Sequence, residues 1–116
     1  MKALFFIDSY ERWGITLESI NSVIRYCREH KKSMTIEVVA NSIAVMGLVR
    51  SVAQQSGWYN IMQSMHEWGV MFAACRDALL KYNSENALLC EFTVIVPSGT
   101  AEAIIRQAEG YSFIMA

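Results

Sequence analysis

Three cysteines, two histidines and one Ser-Gly-Thr turn carry most of the chemistry available to this 116-residue chain. Cys75 lies in "GVMFAACRDALLKY" (69–82), between an apolar run and a segment of helical character. The spacing places it at or near the first position of a helix. Backbone N–H groups there lack helical partners and the helix end carries roughly half a positive charge, so thiolate is favoured over thiol. A free thiol titrates near about 8.5, and a helix N-terminus can lower that by about a unit or more. Arg76 pushes in the same direction and Asp77 pushes back. The residues alone leave Cys75 with two readings, a reactive thiol or a small buried residue at a strand end.

The other candidates read more simply. Cys27 falls on the apolar stripe of the first helical segment, where a thiol is a small hydrophobe. Cys90 precedes an apolar run and belongs at the opposite end of a sheet from Cys75. A six-residue strand spans about 20 Å, whereas a disulfide needs Cα atoms within ~7 Å. A bridge between Cys75 and Cys90 is therefore not expected. His30 and His66 stand alone, without the cysteine or histidine spacing of a zinc site, so no metal is expected. Ser98-Gly99-Thr100 offers donors for an anion at a helix start, but capping of "AEAII" is the plainer use. GxGxxG and GxxxxGK[ST] are both absent, as are paired carboxylates, and no cofactor is expected. Met62, Met65 and Met71 read as packing.

The elements that must position these residues follow from periodicity. Four segments are almost continuously apolar: 3–8, 35–41, 69–74 and 92–97. Unbroken Val, Ile and Phe runs mark strands covered on both faces. Leu17, Ile20, Ile24 and Cys27 form a helical stripe within 13–31. Val45, Leu48, Val49 and Val52 form a second, and Ala101, Ile104, Ile105 and Ala108 a third, which Gly110 ends. Residues 56–69 add a turn and an extra helix, and "YSFIMA" a fifth strand. Alternating strands and helices with buried strands predict a three-layer α/β/α domain over 1–116 with a mainly parallel five-stranded sheet. In such a sheet, reactive groups gather where strands end and helices begin. The joints at Asp8–Tyr10, Asn41–Ser42, Ala74–Arg76 and Pro97–Thr100 should therefore share one edge.

Composition narrows the function classes. Ten basic and eleven acidic residues are scattered, and the one basic cluster, "REHKK" (28–32), sits at a helix end where cations are favoured. No basic stripe suited to nucleic acid is present. The N-terminal apolar run is too short for a secretory signal, and no run approaches the ~20 residues of a membrane span. With an odd number of cysteines at irregular spacing, the chain is expected in the reducing cytoplasm. Hydrophobic residues make up 53% and charged ones 18%. That apolar excess predicts a homo-oligomer with apolar surface buried between subunits.

"GVMFAACRDAL" (69–79) and "VIVPSGTAEAIIRQAEGYSFI" (94–114) closely resemble the DsrE/DsrF-like family, also called YchN-like. "IEVVANSIAVMGL" (36–48) and "ALFFIDSYERWGITLESINSVIRYC" (3–27) match the same pattern in order, so the resemblance covers nearly the whole chain. It implies an α/β/α fold, a trimer or hexamer, and in some relatives a sulfur relay with persulfide carried on the cysteine matching Cys75. Sulfur donor and acceptor proteins would then be partners. In a relay, Arg76 and the helix start would stabilise the thiolate, and Asn41 with the loop of Pro97, Ser98, Gly99 and Thr100 would shape the pocket. This chain has Phe6 where many relatives have histidine, so histidine-assisted transfer is not implied. The alternative is a non-catalytic oligomeric module that binds a small ligand or anion.

Overall fold

The computed structural model describes residues 1–116. Five strands alternate with helices: β1 (Lys2–Ile7), α1 (Trp13–His30), β2 (Thr35–Ala40), α2 (Arg50–Gln55), α3 (Tyr59–Trp68), β3 (Met71–Cys75), α4 (Arg76–Lys81), β4 (Thr93–Val96), α5 (Gly99–Ala108) and β5 (Ser112–Met115). The sheet order is β4-β3-β2-β1-β5 and every pairing is parallel. The predicted fold class is what the chain adopts.

Alternation along the strands divides the core in two. Phe5, Ile7, Val38, Ala40, Phe72 and Ala74 face α1 to α4 and belong to the main cluster. Leu4, Val39, Ala73 and Val96 face the other way, against Ala103 of α5. One face therefore carries four helices and the other carries one. The chain climbs β1 to β4 in one direction and then returns across the sheet through α5 to reach β5 beside β1. That return passes the start of α5 over the ends of β3 and β2.

Three sequence expectations need correction. The stripe of Val45, Leu48, Val49 and Val52 is not one helix. Residues Ser42–Leu48 form a 3₁₀ segment, Val49 is extended and α2 starts at Arg50. The break comes where residues 48–50 meet the returning chain: Cys90 donates its N–H to Leu48 O and Arg50 donates to Leu88 O. A continuous helix there would leave those groups unpaired.

The second correction is on α5. Ala101, Ile104, Ile105 and Ala108 face solvent, with Ile104 63% exposed, while Gly99 and Ala103 are buried and Glu102 and Arg106 lie half-buried. Periodicity found the stripe but gave it the wrong direction, because a buried acid on β2 claims the polar side of the helix. Lastly, the run in β4 is not covered on both faces. Val94 and Ile95 are each 46% exposed, and all of β5 is exposed. These are the two edges of the sheet, and the helices of neither face reach over them: Val94 lies on the single-helix face and Ile95 on the other.

Trp13 fixes the start of the large face. It is fully buried at the beginning of α1, and its Nε1 donates to Ala44 O at 2.8 Å. Gly47 lies flush against the indole: a Cβ there would fall 2.1 Å from Trp13 Nε1. The tryptophan thus pins the 3₁₀ segment that follows Asn41 to the first helix.

Candidate functional site

The C-terminal ends of β2 and β3 and the start of α5 meet at one joint. Cys75 is the last residue of β3 and the N-cap of α4, in extended conformation. Across the sheet it pairs with Val96, so β4 ends beside it and the chain turns through Pro97 and Ser98 into α5. Gly99 then packs into the joint. A Cβ on Gly99 would lie 3.1 Å from Asn41 Oδ1 and 3.3 Å from Cys75 Cβ. Asn41, Cys75 and Gly99 thus come from three strand ends and touch, and the close approach is one that glycine allows.

The remaining expected residues are placed less centrally. Ser98 is half-buried and caps α5, its Oγ accepting from Ala101 N at 3.1 Å, so capping is what that hydroxyl does. Pro97, Thr100, Arg76 and Asp77 are exposed, and neither Arg76 nor Asp77 makes an ion pair. Asp8 is exposed at the end of β1, adjacent to Asn41, whose N–H donates to Ile7 O at 2.8 Å. Cys75 itself is 3% exposed, closed over by the joint it helps to form. α4 has only six residues, and the Cys75 side chain makes no capping hydrogen bond to its N–H groups.

All three cysteines are free and buried. Cys90 lies six residues before Val96, roughly 20 Å along the chain from Cys75's end of the sheet. Burial, then the charge of Glu91, pushes its thiol pKa up to about 11, which makes it a poor nucleophile at neutral pH. Cys27 is 1% exposed on the core side of α1. No cluster of three or more His, Cys, Asp or Glu side chains is placed to hold a metal ion. His66 stacks on Phe92 and His30 on Tyr26, away from the joint.

Two features near the joint were not read from the sequence. Ser42, directly after Asn41, adopts φ 51°, a left-handed conformation uncommon for a residue with a Cβ, and its Oγ lies 3.4 Å from Tyr82 Oη. The second is Glu37, fully buried in the middle of β2, four residues before Asn41. Arg106 of α5 donates through Nε to Glu37 Oε1 at 2.7 Å and to Glu102 Oε2 at 3.1 Å, and through Nη1 to Glu109 Oε1 at 2.9 Å. This cluster fixes the helix whose first residue closes over Cys75. A single acid inside the apolar "TIEVVA" was its only signal.

Burial, then the hydrogen bond and charge of Glu102, pushes the Glu37 pKa up to about 8 against the pull of Arg106. Its Oε2 has no donor, as fits an oxygen that itself carries the proton. Folded Glu37 keeps its proton through a range in which the unfolded chain has lost it. Its contribution is therefore complete below about pH 4.3 and declines as pH rises toward 8, by at most about 1.4 kcal/mol per pH unit. Glu37→Gln keeps an acceptor for Arg106 and removes the titration. Urea unfolding of both proteins from pH 5 to 9 should show wild type losing stability relative to Glu37→Gln up to about pH 8. A constant difference between them would contradict the assignment.

The fold and joint define a class of protein: a five-stranded, all-parallel α/β domain with a closed, thiol-containing joint at the C-terminal edge. Within that class it is similar in structure to MTH1491 from Methanobacterium thermoautotrophicum, a protein of unknown function, with a TM-score of 0.86 and 26% sequence identity over 99% of this chain and 98% of that one. No protein-family model matches the sequence, and no curated protein does. No helix is long and apolar enough to cross a membrane.

Proposed function

We propose that this protein carries sulfane sulfur as a persulfide on Cys75 and passes it to a partner protein, as the resemblance to DsrE/DsrF-like proteins implies. The observation that carries the reading is the joint itself, where Asn41, Gly99 and two strand ends close on one thiol and the other cysteines are remote. In the first step the Cys75 thiolate attacks the outer sulfur of a donor persulfide. A bond forms between Cys75 Sγ and that sulfur, the donor S–S bond breaks, and the donor leaves as a thiolate. In the second step an acceptor thiolate attacks the outer sulfur of Cys75–S–SH, and the Cys75 thiolate leaves. No cofactor is needed.

A thiol that is 3% exposed must be uncovered to react, and the cover is the Pro97–Gly99 turn leading into α5. The chain is also proposed to form a trimer or hexamer. The apolar side chains of Ile104, Ile105, Phe113 and Met115 on the single-helix face support this, each between 42% and 63% exposed. Burial of Cys75 supports a second reading, a non-catalytic oligomeric module in which the thiol only lines a ligand-binding joint.

Sulfane sulfur bound after incubation with a small-molecule persulfide separates the two. The relay predicts about one sulfur per chain on wild type and a loss of at least about tenfold in Cys75→Ser. Equal uptake by both proteins, or none by either, supports the module instead.

A further inference from the structure

We infer that the groove between α1 and α3 is a two-fold contact surface for a second copy of this chain, with Glu18 of each copy facing Arg28 of the other. The groove has a volume of about 550 Å³ and lies on the face opposite α5. Trp58, which caps α3, and Ile61 and Trp68 within it line one wall, with Ile61 45% exposed and both tryptophans half-buried. α1 supplies the other wall. Its positions toward the groove include Gly14 and Asn21, and a Cβ on Gly14 would meet nothing within 4 Å. Small residues on an exposed helix leave room for another helix to approach.

The charges identify the occupant. Glu18 and Arg28 both line the groove and are exposed, and neither takes part in any of the chain's ion pairs. Ten residues of helix separate them by about 15 Å. A copy turned by a two-fold axis midway between Glu18 and Arg28 presents the same pair in reverse order, so each Glu18 meets an Arg28 and Asn21 meets Arg25. In that arrangement each α1 seats over the other copy's groove, and the two helix pairs pack face to face. Contacts of this isologous kind are self-complementary by construction. Exposed ion pairs add little affinity, but like charges brought together strongly oppose a wrong arrangement. The surface lies apart from Cys75 and from the α5 face, so the inference does not depend on the sulfur chemistry.

Charge reversal tests it without touching the core. Sedimentation velocity of wild type should give an assembly of twice the mass found for Glu18→Arg or Arg28→Glu alone, since each reversal creates two repulsive pairs. An equimolar mixture of the two variants should return to the wild-type mass, because the two arginines of one variant then face the two glutamates of the other. The double variant, in which acid and base have exchanged places, should also return to it. Single variants that keep the wild-type mass, or a mixture that fails to recover it, would overturn the inference. Unchanged mass with wild-type binding of a hydrophobic dye in the groove would assign the groove to a small ligand instead.

Discussion

Gly47→Ala is expected to lower stability by about 3 kcal/mol or more, measured as a fall in the urea midpoint without a change in slope. The added methyl would lie 2.1 Å from Trp13 Nε1 and 2.5 Å from its Cδ1. The far side of the indole cannot yield, since Trp13 is fully buried and its ring lies 6.4 Å from those of Trp58 and Phe72. Either the tryptophan moves and its bond to Ala44 O breaks, or the 3₁₀ segment moves and carries Asn41 with it. A lost buried hydrogen bond adds about 1–3 kcal/mol to the overpacking cost. The first outcome leaves the joint intact and the second opens it, so the Cys75 labelling rate in the same variant tells them apart. A stability loss under about 1 kcal/mol would contradict the packing described for Trp13.

Gly99→Val is expected to act on the joint rather than on the core. A Cβ at that position already comes within 3.1–3.3 Å of Asn41 and Cys75, and the two further methyls of valine have no room. The turn from β4 into α5 should lift, while Arg106 still anchors the far end of the helix to Glu37. Alkylation of Cys75 by a small neutral reagent should then accelerate at least about tenfold, equivalent to about 1.4 kcal/mol in the opening equilibrium. Labelling at the wild-type rate would show that the turn is not the cover. Gly99→Ala, with a single close methyl, should fall between the two proteins.

The readable part of this fold is the part governed by local pattern. Unbroken apolar runs located β1, β2 and β3 to within two residues at each end, and strand–helix alternation gave the parallel sheet. Strand order was not accessible, and it decides which loops meet. Placing β4 beside β3, with α5 returning across the sheet, brings Gly99 to Cys75 and Asn41. The direction of the α5 stripe was misread for a tertiary reason. Glu37 on β2 demands Arg106 and Glu102 on the inner side of the helix, and the isoleucines are turned outward. The split of 42–55 into a 3₁₀ segment and α2 had a similar origin, since bonds to residues 88 and 90 come from a distant loop. The site residue types were visible as strand-end joints, but burial of Cys75 was not, because it packs in the main core and against Gly99, which lies far along the chain.

The claim that this protein carries sulfur on Cys75 meets its most direct test in peptide mass spectrometry after incubation with a persulfide donor and rapid blocking of thiols. The account predicts an added sulfur atom on the peptide containing Cys75, and none on those containing Cys27 or Cys90. Sulfur spread over all three peptides, or absent from Cys75, would contradict it.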